Sequence, residues 1–261
     1  MEEYPPGASI LSIGAGPCDL EAILSELNYK VTAVDDLSDQ WHLIGKNRER
    51  ITAFAQKHNV NLIVQSAEIA QLKENCYDVV LMIDIIEHIV GSPMDLINYG
   101  ISMLKPNGMI IIETPNAVSL INRLKGLFGK SNQVSAGFIF WNIGKYRSHF
   151  REYTRSELYD LLQNFNLNAT KIELFNIGTE SAYYSTKHIV KRGVIFLYKV
   201  ISGLYPTFKD TIILSGKKPK DWQSLNISLK NFKNFYDHIE KFNIDNISDD
   251  EIIASIKKME L

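Results

Sequence analysis

The sequence is poor in cysteine and has no long apolar run. Its two cysteines, Cys18 and Cys76, have neither the number nor the spacing of a disulfide framework or a cysteine metal site. The longest apolar runs, residues 79–83 and 194–198, are far shorter than the ~20 residues that span a bilayer. The first residues are acidic and Pro-rich, unlike a secretory leader. We therefore predict a cytoplasmic protein with no metal site and no stable membrane insertion.

An excess of charge of either sign is also missing. The chain has 28 Lys and Arg residues against 30 Asp and Glu residues, which gives a net charge of -2. This balance gives no reason to expect a nucleic-acid partner. Hydrophobic residues make up 45% of the chain, which is enough for a buried core.

Strand-like apolar runs alternate with amphipathic segments of helical length, a pattern typical of a parallel sheet with helices on both faces. Strands are predicted over residues 9–13, 30–35, 62–65, 78–83, 109–113, 171–177 and 211–214. Helices are predicted over residues 19–27, 40–58 and 93–104, after a capping box at Thr154 and Glu157, and between the last two strands. Residues 219–261 are predicted to be a helical C-terminal appendage.

A glycine-containing turn follows the first predicted strand and leads into the first helix. Gly14 and Gly16 allow a sharp turn and the close approach of a ligand, toward which the helix directs its N–H groups. Asp35 ends the second strand, where a carboxylate suits the hydroxyls of a ribose. Nicotinamide enzymes share this arrangement, but their fingerprint places a third glycine where this chain has Asp19. A ligand without a pyrophosphate is therefore favoured.

Three later segments carry a family resemblance. Residues 78–81 (DVVL) with 84–89 (DIIEHI), residues 104–108 (LKPNG) with 110–116 (IIIETPN), and residues 149–158 (HFREYTRSEL) occur in that order. They resemble the corresponding segments of class I S-adenosylmethionine-dependent methyltransferases that act on small molecules. The resemblance covers residues 9–217.

The resemblance implies an α/β fold with a Rossmann-like seven-stranded sheet of order 3-2-1-4-5-7-6, its last strand antiparallel, within a domain of residues 1–218. It implies S-adenosylmethionine as cofactor and S-adenosylhomocysteine as product. The implied cofactor-binding residues are Gly14, Ala15, Gly16, Asp35, Asp36, Ser66, Ala67, Glu68, Asp84, Ile85 and His88.

Three positions depart from the family pattern. Ser12 stands where an acid is usual, Cys18 replaces a third glycine, and Ser66 replaces an acid on the adenine side. Two other residues have open interpretations. Glu87 fixes the loop after the fourth strand or takes part in catalysis, with the first favoured; His88 packs or contacts the cofactor.

Acidic residues are absent from two segments, 114–151 and 181–209, both of which contain several Lys and Arg residues. Both segments leave the sheet near the carboxyl ends of strands, where α/β proteins bind ligands. We predict that residues 116–152 and 178–209 form a substrate cap, and that the acceptor is a small anionic molecule bearing a phosphate, nucleotide or sugar. The alternatives are a solvated basic face and a peripheral membrane contact, because residues 189–205 are amphipathic and cationic.

His149 is the predicted general base, because a histidine suits the removal of a hydroxyl proton near neutral pH. A structural role for His149 is the alternative. The predicted substrate-binding residues are Asn116, Lys145, Arg147, Arg151 and Tyr153. O-methylation is favoured over N-methylation, in a pathway of polysaccharide assembly. The rival functions are an NAD(P)-dependent oxidoreductase and a non-catalytic module that binds S-adenosylmethionine.

Overall fold

A computed structural model describes residues 4–141, 148–226, 248, 250, 251 and 254, with the side chain of residue 138 excepted. Seven strands form one sheet in the order β3-β2-β1-β4-β5-β7-β6. The strand β7 runs antiparallel to both of its neighbours, and the other described pairs are parallel. The strands are β1 Ser9–Ile13, β2 Lys30–Val34, β3 Asn61–Ile63, β4 Tyr77–Ile83, β5 Leu104–Pro115, β6 Asn168–Phe175 and β7 Thr211–Lys217. The predicted sheet order and the antiparallel strand are confirmed.

The central strands are apolar on both faces because helices cover the sheet on both sides. Residues 79–82 of β4 are all buried, as the unbroken apolar run predicts. Across the sheet, Ile10 of β1 pairs with Val79 of β4, and Ile112 of β5 pairs with Leu214 of β7. This continuous core fixes the strands whose carboxyl ends carry the candidate site.

Nine helices and two 3-10 helices are assigned in the described part of the chain. The helices are α1 Asp19–Glu26, α2 Gln40–Leu43, α3 Asn47–Lys57, α4 Met94–Met103, α5 Leu120–Leu127, α6 Ala136–Phe140, α7 Arg155–Gln163, α8 Ile177–Ser185 and α9 Ile189–Leu204. The 3-10 helices are Ile86–His88 and Pro206–Phe208. The predicted capping box is present at the start of α7, where Thr154 and Glu157 each accept a hydrogen bond from the other's backbone N–H.

The predicted helix over residues 40–58 is wrong in one respect, because the structure contains α2 and α3 instead. Ile44 has an extended backbone and Gly45 has φ +61°, so helical hydrogen bonding stops between them. Leu43 and Ile44, expected on the buried face, are exposed, whereas Ile51 and Ala55 of α3 are buried.

Two further boundaries differ from the prediction. The strand expected over residues 171–177 is β6, which ends at Phe175, and Ile177 already begins α8. Between β6 and β7 the chain forms two helices, α8 and α9, where one was expected. Residues 186–188 are non-helical, and Thr186 has an extended backbone that ends α8.

The chain divides into two compact units, Met1–Gln223 and Ser224–Leu261. In the second unit, the Ser248 hydroxyl accepts from Glu251 N–H, and the Glu251 carboxylate accepts from Ser248 N–H. The predicted boundary after residue 218, the helical appendage and the cap role of residues 116–152 and 178–209 remain predictions. Among the described residues, no helix is both long enough and apolar enough to cross a bilayer.

Candidate active site

The turn after β1 brings the chain close to the end of β4. Gly14 and Gly16 have φ angles of +76° and +51°, which favour glycine. A Cβ on Gly14 would overlap the Ile85 side chain, whereas a Cβ on Gly16 would meet no atom within 4 Å. Gly14 therefore permits close packing of two loops, and Gly16 borders open space that a ligand can enter.

Asp35, directly after β2, ties this turn to the neighbouring strand. Its carboxylate accepts hydrogen bonds from the backbone N–H of Gly16 at 2.8 Å and of Leu37 at 2.7 Å. Asp36 accepts from the backbone N–H and the hydroxyl of Ser38. A carboxylate oxygen has two lone pairs, so each Asp35 oxygen can accept a second hydrogen bond from a ligand hydroxyl.

The loops after β3 and β4 complete one edge of the sheet. Ser66 and Ala67 are half-buried, and the Ser66 carbonyl accepts from Ile69 and Ala70 in a tight turn. Glu68 is exposed. The adjacent order β3-β2-β1-β4 places the residues after these strands side by side: Gly14, Ala15, Gly16, Asp35, Asp36, Ser66, Ala67, Glu68, Asp84 and Ile85.

A buried carboxylate lies in the helix that follows the glycine turn, and it was not predicted from the sequence. Glu21 of α1 is buried, and its Oε1 accepts a 2.5 Å hydrogen bond from the Ser12 hydroxyl of β1. Its Oε2 has no hydrogen-bond partner among the described residues. Burial raises the pKa of Glu21, and the bond from Ser12 partly opposes this shift. Where the family pattern has an acid at position 12, this chain therefore has Ser12 together with an acid, Glu21, on helix α1.

A second group of polar residues forms where residues 149–152 dock on the 3-10 helix Ile86–His88. The carbonyl of Glu87 accepts from the backbone N–H groups of Phe150 at 2.6 Å and Arg151 at 3.1 Å. This contact brings the His149 ring to 4.9 Å from the His88 ring, edge to face. His149 Nδ1 also lies 3.0 Å from Glu152 Oε1.

The carboxyl groups around the two histidines titrate abnormally. The Glu87 side chain is completely buried, and the Thr114 hydroxyl donates to its Oε2 at 2.9 Å. Burial, reinforced by the charge of Asp84, raises the pKa of Glu87 to about 7. Burial likewise raises the pKa of Glu113 to about 7 and raises that of Asp84. Glu87 and Glu113 consequently titrate near neutral pH.

The pKa of His149 is raised, which favours the charged imidazolium form. The hydrogen bond to Glu152 raises its pKa, while burial opposes the shift and the charges of Glu87 and Asp84 add to it. A carboxylate on Nδ1 also fixes the tautomer and the orientation of the ring. His149 is one-third exposed, so its ring also borders solvent.

The same cluster has the spacing of a cation site. Glu87, His88 and His149 each offer one ligand atom, and these atoms lie within 4.8 Å of one another. Carboxylate and imidazole are common ligands of divalent metals, and the Glu152 contact would orient a ligating His149. The sequence did not reveal the cluster because 61 positions separate His88 from His149. The absence of a metal site remains a prediction.

Comparison with known proteins decides the family. Residues 2–172 match the family model of a methyltransferase domain. This chain belongs to the class I S-adenosylmethionine-dependent methyltransferases. The family match and the confirmed sheet order favour S-adenosylmethionine-dependent methyl transfer over the NAD(P)-dependent alternative.

Curated relatives and solved structures agree with the family. The methyltransferase is 29% identical over 175 residues to a ubiquinone biosynthesis O-methyltransferase of Rickettsia typhi, across 65% of this chain and 64% of that relative. The match therefore spans less than two thirds of that relative's length. The fold resembles phosphoethanolamine N-methyltransferase 2 of Haemonchus contortus (TM-score 0.53, 17% identity, 83% of this chain and 50% of that one). It also resembles a methyltransferase of Archaeoglobus fulgidus (TM-score 0.52, 18% identity, 81% and 86%).

The predicted substrate-binding residues of the methyltransferase have separate surroundings. The Asn116 side chain is buried, donates to the carbonyls of Thr207 and Lys209, and accepts from Val118 N–H. Arg151 pairs with Glu157 at 2.6 Å. Tyr153 is buried, and the Arg151 guanidinium lies 5.8 Å from its ring. Lys145 and Arg147 lie outside the described residues. The substrate roles of these residues remain predictions.

Proposed function

We propose that this methyltransferase moves the methyl group of S-adenosylmethionine to a hydroxyl oxygen of a small molecule, with His149 as general base. The observation that carries the proposal is the hydrogen bond between His149 and Glu152 beside the end of β4. An oxygen nucleophile gains from losing its proton as the bond to carbon forms, and an oriented imidazole accepts that proton. The similarity to the ubiquinone biosynthesis O-methyltransferase of Rickettsia typhi supports the choice of oxygen.

We infer that the cofactor lies along the sheet edge described above. Gly14, Ala15 and Gly16 would border it, and Asp35 with Asp36 would accept from the ribose hydroxyls. The turn of Ser66, Ala67 and Glu68 would lie beside the adenine, and Asp84, Ile85 and His88 near the methionine end. The open space at Gly16 and the fixed carboxylate of Asp35 support this placement.

We further infer that Glu21 is a positioning residue for the cofactor. S-adenosylmethionine carries a sulfonium and an ammonium charge, and a buried carboxylate attracts cations strongly because water does not screen it. Glu21 lies in the helix that follows the glycine turn, with one oxygen unpartnered among the described residues, and Ser12 holds the other. Ser12 and Glu21 would together replace the acid that the family places at position 12.

Methyl transfer from a sulfonium is an in-line displacement, so alignment of oxygen, carbon and sulfur supplies much of the catalysis. The acceptor oxygen attacks the methyl carbon, and the carbon–sulfur bond breaks with its electron pair remaining on sulfur. The hydroxyl proton passes to His149. S-adenosylhomocysteine and a methyl ether are the products.

The acceptor that we propose carries an anionic group away from the reacting oxygen. The charges of Asp84, Glu87 and Glu152 act on His149, so a phosphate would be repelled at that point. The cations of the acid-free segments 114–151 and 181–209 support an anion at the periphery of the proposed cap. The cytoplasmic location and a role in polysaccharide assembly stay predictions.

The deciding experiment combines binding with turnover. Calorimetry with S-adenosylmethionine, S-adenosylhomocysteine and NADH comes first, and the first two compounds are expected to bind. A screen with labelled methyl donor and paired hydroxyl and amine acceptors follows. Cofactor binding with no turnover on any acceptor would favour the non-catalytic module, and methylation of amines alone would overturn O-methylation.

The chain offers a matched control for the base. His58 Nδ1 lies 3.0 Å from Glu26 Oε1, the same distance as in the His149–Glu152 pair, but on α1 and the end of α3. His149→Ala is expected to abolish most turnover while His58→Ala leaves it unchanged. Equal activity of both variants would remove His149 from the base role.

Binding of a divalent cation is the second candidate role for the cluster of Glu87, His88 and His149, because their ligand atoms have suitable spacing. A bound divalent cation would lower the pKa of a coordinated acceptor hydroxyl and so replace the base. Turnover is measured after dialysis against a chelator, with and without added Mg²⁺ or Zn²⁺. Loss of turnover after dialysis and its recovery on adding metal would show that the cluster binds a catalytic cation. Turnover that dialysis leaves unchanged would support His149 as the general base.

A further inference from the structure

Helix α9 is attached to the protein through polar side chains. The buried hydroxyl of Tyr198 donates to the Phe208 carbonyl at 2.9 Å. On the same side of the helix, the Asn176 amide donates to the buried Ser202 hydroxyl at 2.7 Å. A surface helix ordinarily packs its apolar side on the core and turns its polar side to water. In α9 the two buried residues are instead Tyr198 and Ser202, both of which form hydrogen bonds through their hydroxyls.

The side of α9 that points away from these anchors is apolar. Phe196, Val200 and Leu204 follow one another at a helical spacing of four residues and are offset by two positions from the row of Tyr198 and Ser202, so they share the face that points away from these anchors. This face with the adjacent Leu197, here named the α9 face, consists of four exposed apolar residues: Phe196, Leu197, Val200 and Leu204. Contiguous exposed apolar surface of this kind marks a contact with another molecule or with lipid.

Helix α5 contacts the same 3-10 helix as α9 and also has exposed apolar residues. Both α5 and α9 pack on the 3-10 helix Pro206–Phe208. Ile121, Leu124 and Leu127 of α5 are exposed, and α5 contains no buried residue. Arg123 of α5 holds its guanidinium 5.3 Å from the Phe208 ring.

The charged side chains of α5 and α9 are all positive, and Lys199 of α9 pairs with Glu180 of α8. Residues 181–209, which include all of α9, contain no Asp or Glu. Lys187 and Lys191 are exposed, and among the described residues neither forms an ion pair. Residues 114–151, which include α5, also lack acids. A partner that matches both features must be apolar and negatively charged.

From these observations we propose that α9, together with α5, docks the protein on an anionic lipid surface. The α9 face would enter the boundary between headgroups and acyl chains, with Lys187 and Lys191 near the lipid phosphates. At 16 residues α9 is too short to span a bilayer, so it would lie along the surface. This proposal assigns Lys187 and Lys191 to lipid phosphates, so the anion proposed for the methyl acceptor would depend on the other cations of residues 114–151 and 181–209.

A lipid surface fits better than a second copy of this chain. A symmetric dimer through α9 would bring the same acid-free segment of both copies together. Lys187 and Lys191 of one copy would then face cations of the other, with no acid in residues 181–209 to pair with them. An anionic membrane offers phosphates to both lysines.

The test is sedimentation of the full chain with vesicles of phosphatidylcholine alone and of phosphatidylcholine with one third phosphatidylglycerol. We expect the protein to sediment with the anionic vesicles and to be released by raised salt, because salt screens the lysines. Leu197→Asp is expected to lower vesicle binding about tenfold or more, since it places a charge in the apolar contact.

Matched controls separate docking from general effects. Leu27, directly after α1, is 55% exposed and Leu197 is 59% exposed, so Leu27→Asp makes the same change at similar exposure at the end of another helix. Lys191→Glu is expected to weaken binding to the anionic vesicles, whereas Lys57→Glu on α3 is not. Thermal melts of each variant verify folding.

Each outcome decides the proposal. Binding that falls with Leu197→Asp and Lys191→Glu, but not with the two controls, supports it. Failure of the wild-type chain to bind anionic vesicles overturns it, and so does equal binding to both vesicle types. A dimer in sedimentation velocity that Leu197→Asp dissociates, without vesicle binding, would instead assign the α9 face to a second copy.

Discussion

His149 Nδ1 and Glu152 Oε1 lie 3.0 Å apart, three positions apart in one segment that docks on the carbonyl of Glu87. The pair is held from two sides, because the backbone of the segment is bonded to the 3-10 helix after β4 and the imidazole is bonded within the segment. An oriented imidazole whose pKa is raised by a carboxylate is the arrangement from which the proposed base follows.

The pH dependence of turnover tests this pair. A base must be neutral to accept a proton, so kcat should rise as pH increases through the raised pKa of His149. His149→Ala should lower kcat by about 10²- to 10⁴-fold. Glu152→Gln removes the main cause of the shift, so the rising limb should move to lower pH. A limb that does not move in Glu152→Gln would contradict the assignment.

Glu87 should destabilise the fold at high pH. Its folded-state pKa is raised from 4.5 to about 7, so its favourable contribution is complete below the unfolded pKa and is lost as pH rises from 4.5 through about 7. Glu87→Gln removes the buried charge while retaining an acceptor for Thr114. The variant should gain up to about 3 kcal/mol over the wild type at pH 8 and little at pH 4. Chemical denaturation at the two pH values measures this difference.

Gly14 and Gly16 should respond differently to a methyl group. Both substitutions strain a left-handed backbone by about 1–2 kcal/mol. Gly14→Ala also overlaps Ile85, so it should cost about 1–3 kcal/mol more, part of which Ile85→Ala should restore. Gly16→Ala meets no protein atom and should mainly weaken cofactor binding. Thermal melts and calorimetry with S-adenosylhomocysteine distinguish the two variants. An equal loss of stability in Gly14→Ala and Gly16→Ala would contradict the open space at Gly16.

Glu21→Gln should act on the cofactor rather than on folding. Removing the buried charge is expected to raise KM for S-adenosylmethionine about fivefold to tenfold with little change in kcat at saturation. The melting temperature near neutral pH should not fall, because burial already disfavours the charged form. Asp19→Asn, an exposed position on the same helix, is the control. A drop in stability with unchanged KM would make Glu21 a structural residue only.

Several parts of the molecule were predictable because neighbouring residues decide them. The apolar run of β4 must be buried on both faces, and the Thr154 capping box needs only four consecutive residues. The class I order of the sheet followed from the order of family-like segments along the chain. Asp35 beside the glycine turn was predictable as well, since the end of β2 lies next to the end of β1.

Other features escaped the sequence because local patterns do not decide them. The break between α2 and α3 requires a left-handed Gly45 inside a pattern that otherwise favours a helix. The contact between Ser12 of β1 and Glu21 of α1 depends on which side of the helix packs on the sheet. Polar anchoring of α9 was hidden, because an amphipathic pattern does not tell which side faces the protein.

Local patterns and the family-like segments thus establish a class I methyltransferase sheet and the acidic ends of its strands, since these depend on periodicity and on residues near one another. Folding brings His88, Glu87 and His149 into one cluster and turns the apolar side of α9 outward. The formation of this cluster and the orientation of α9 depend on which surfaces pack against each other. The free energy of that packing comes from residues far apart in the chain, so local sequence patterns do not reveal it.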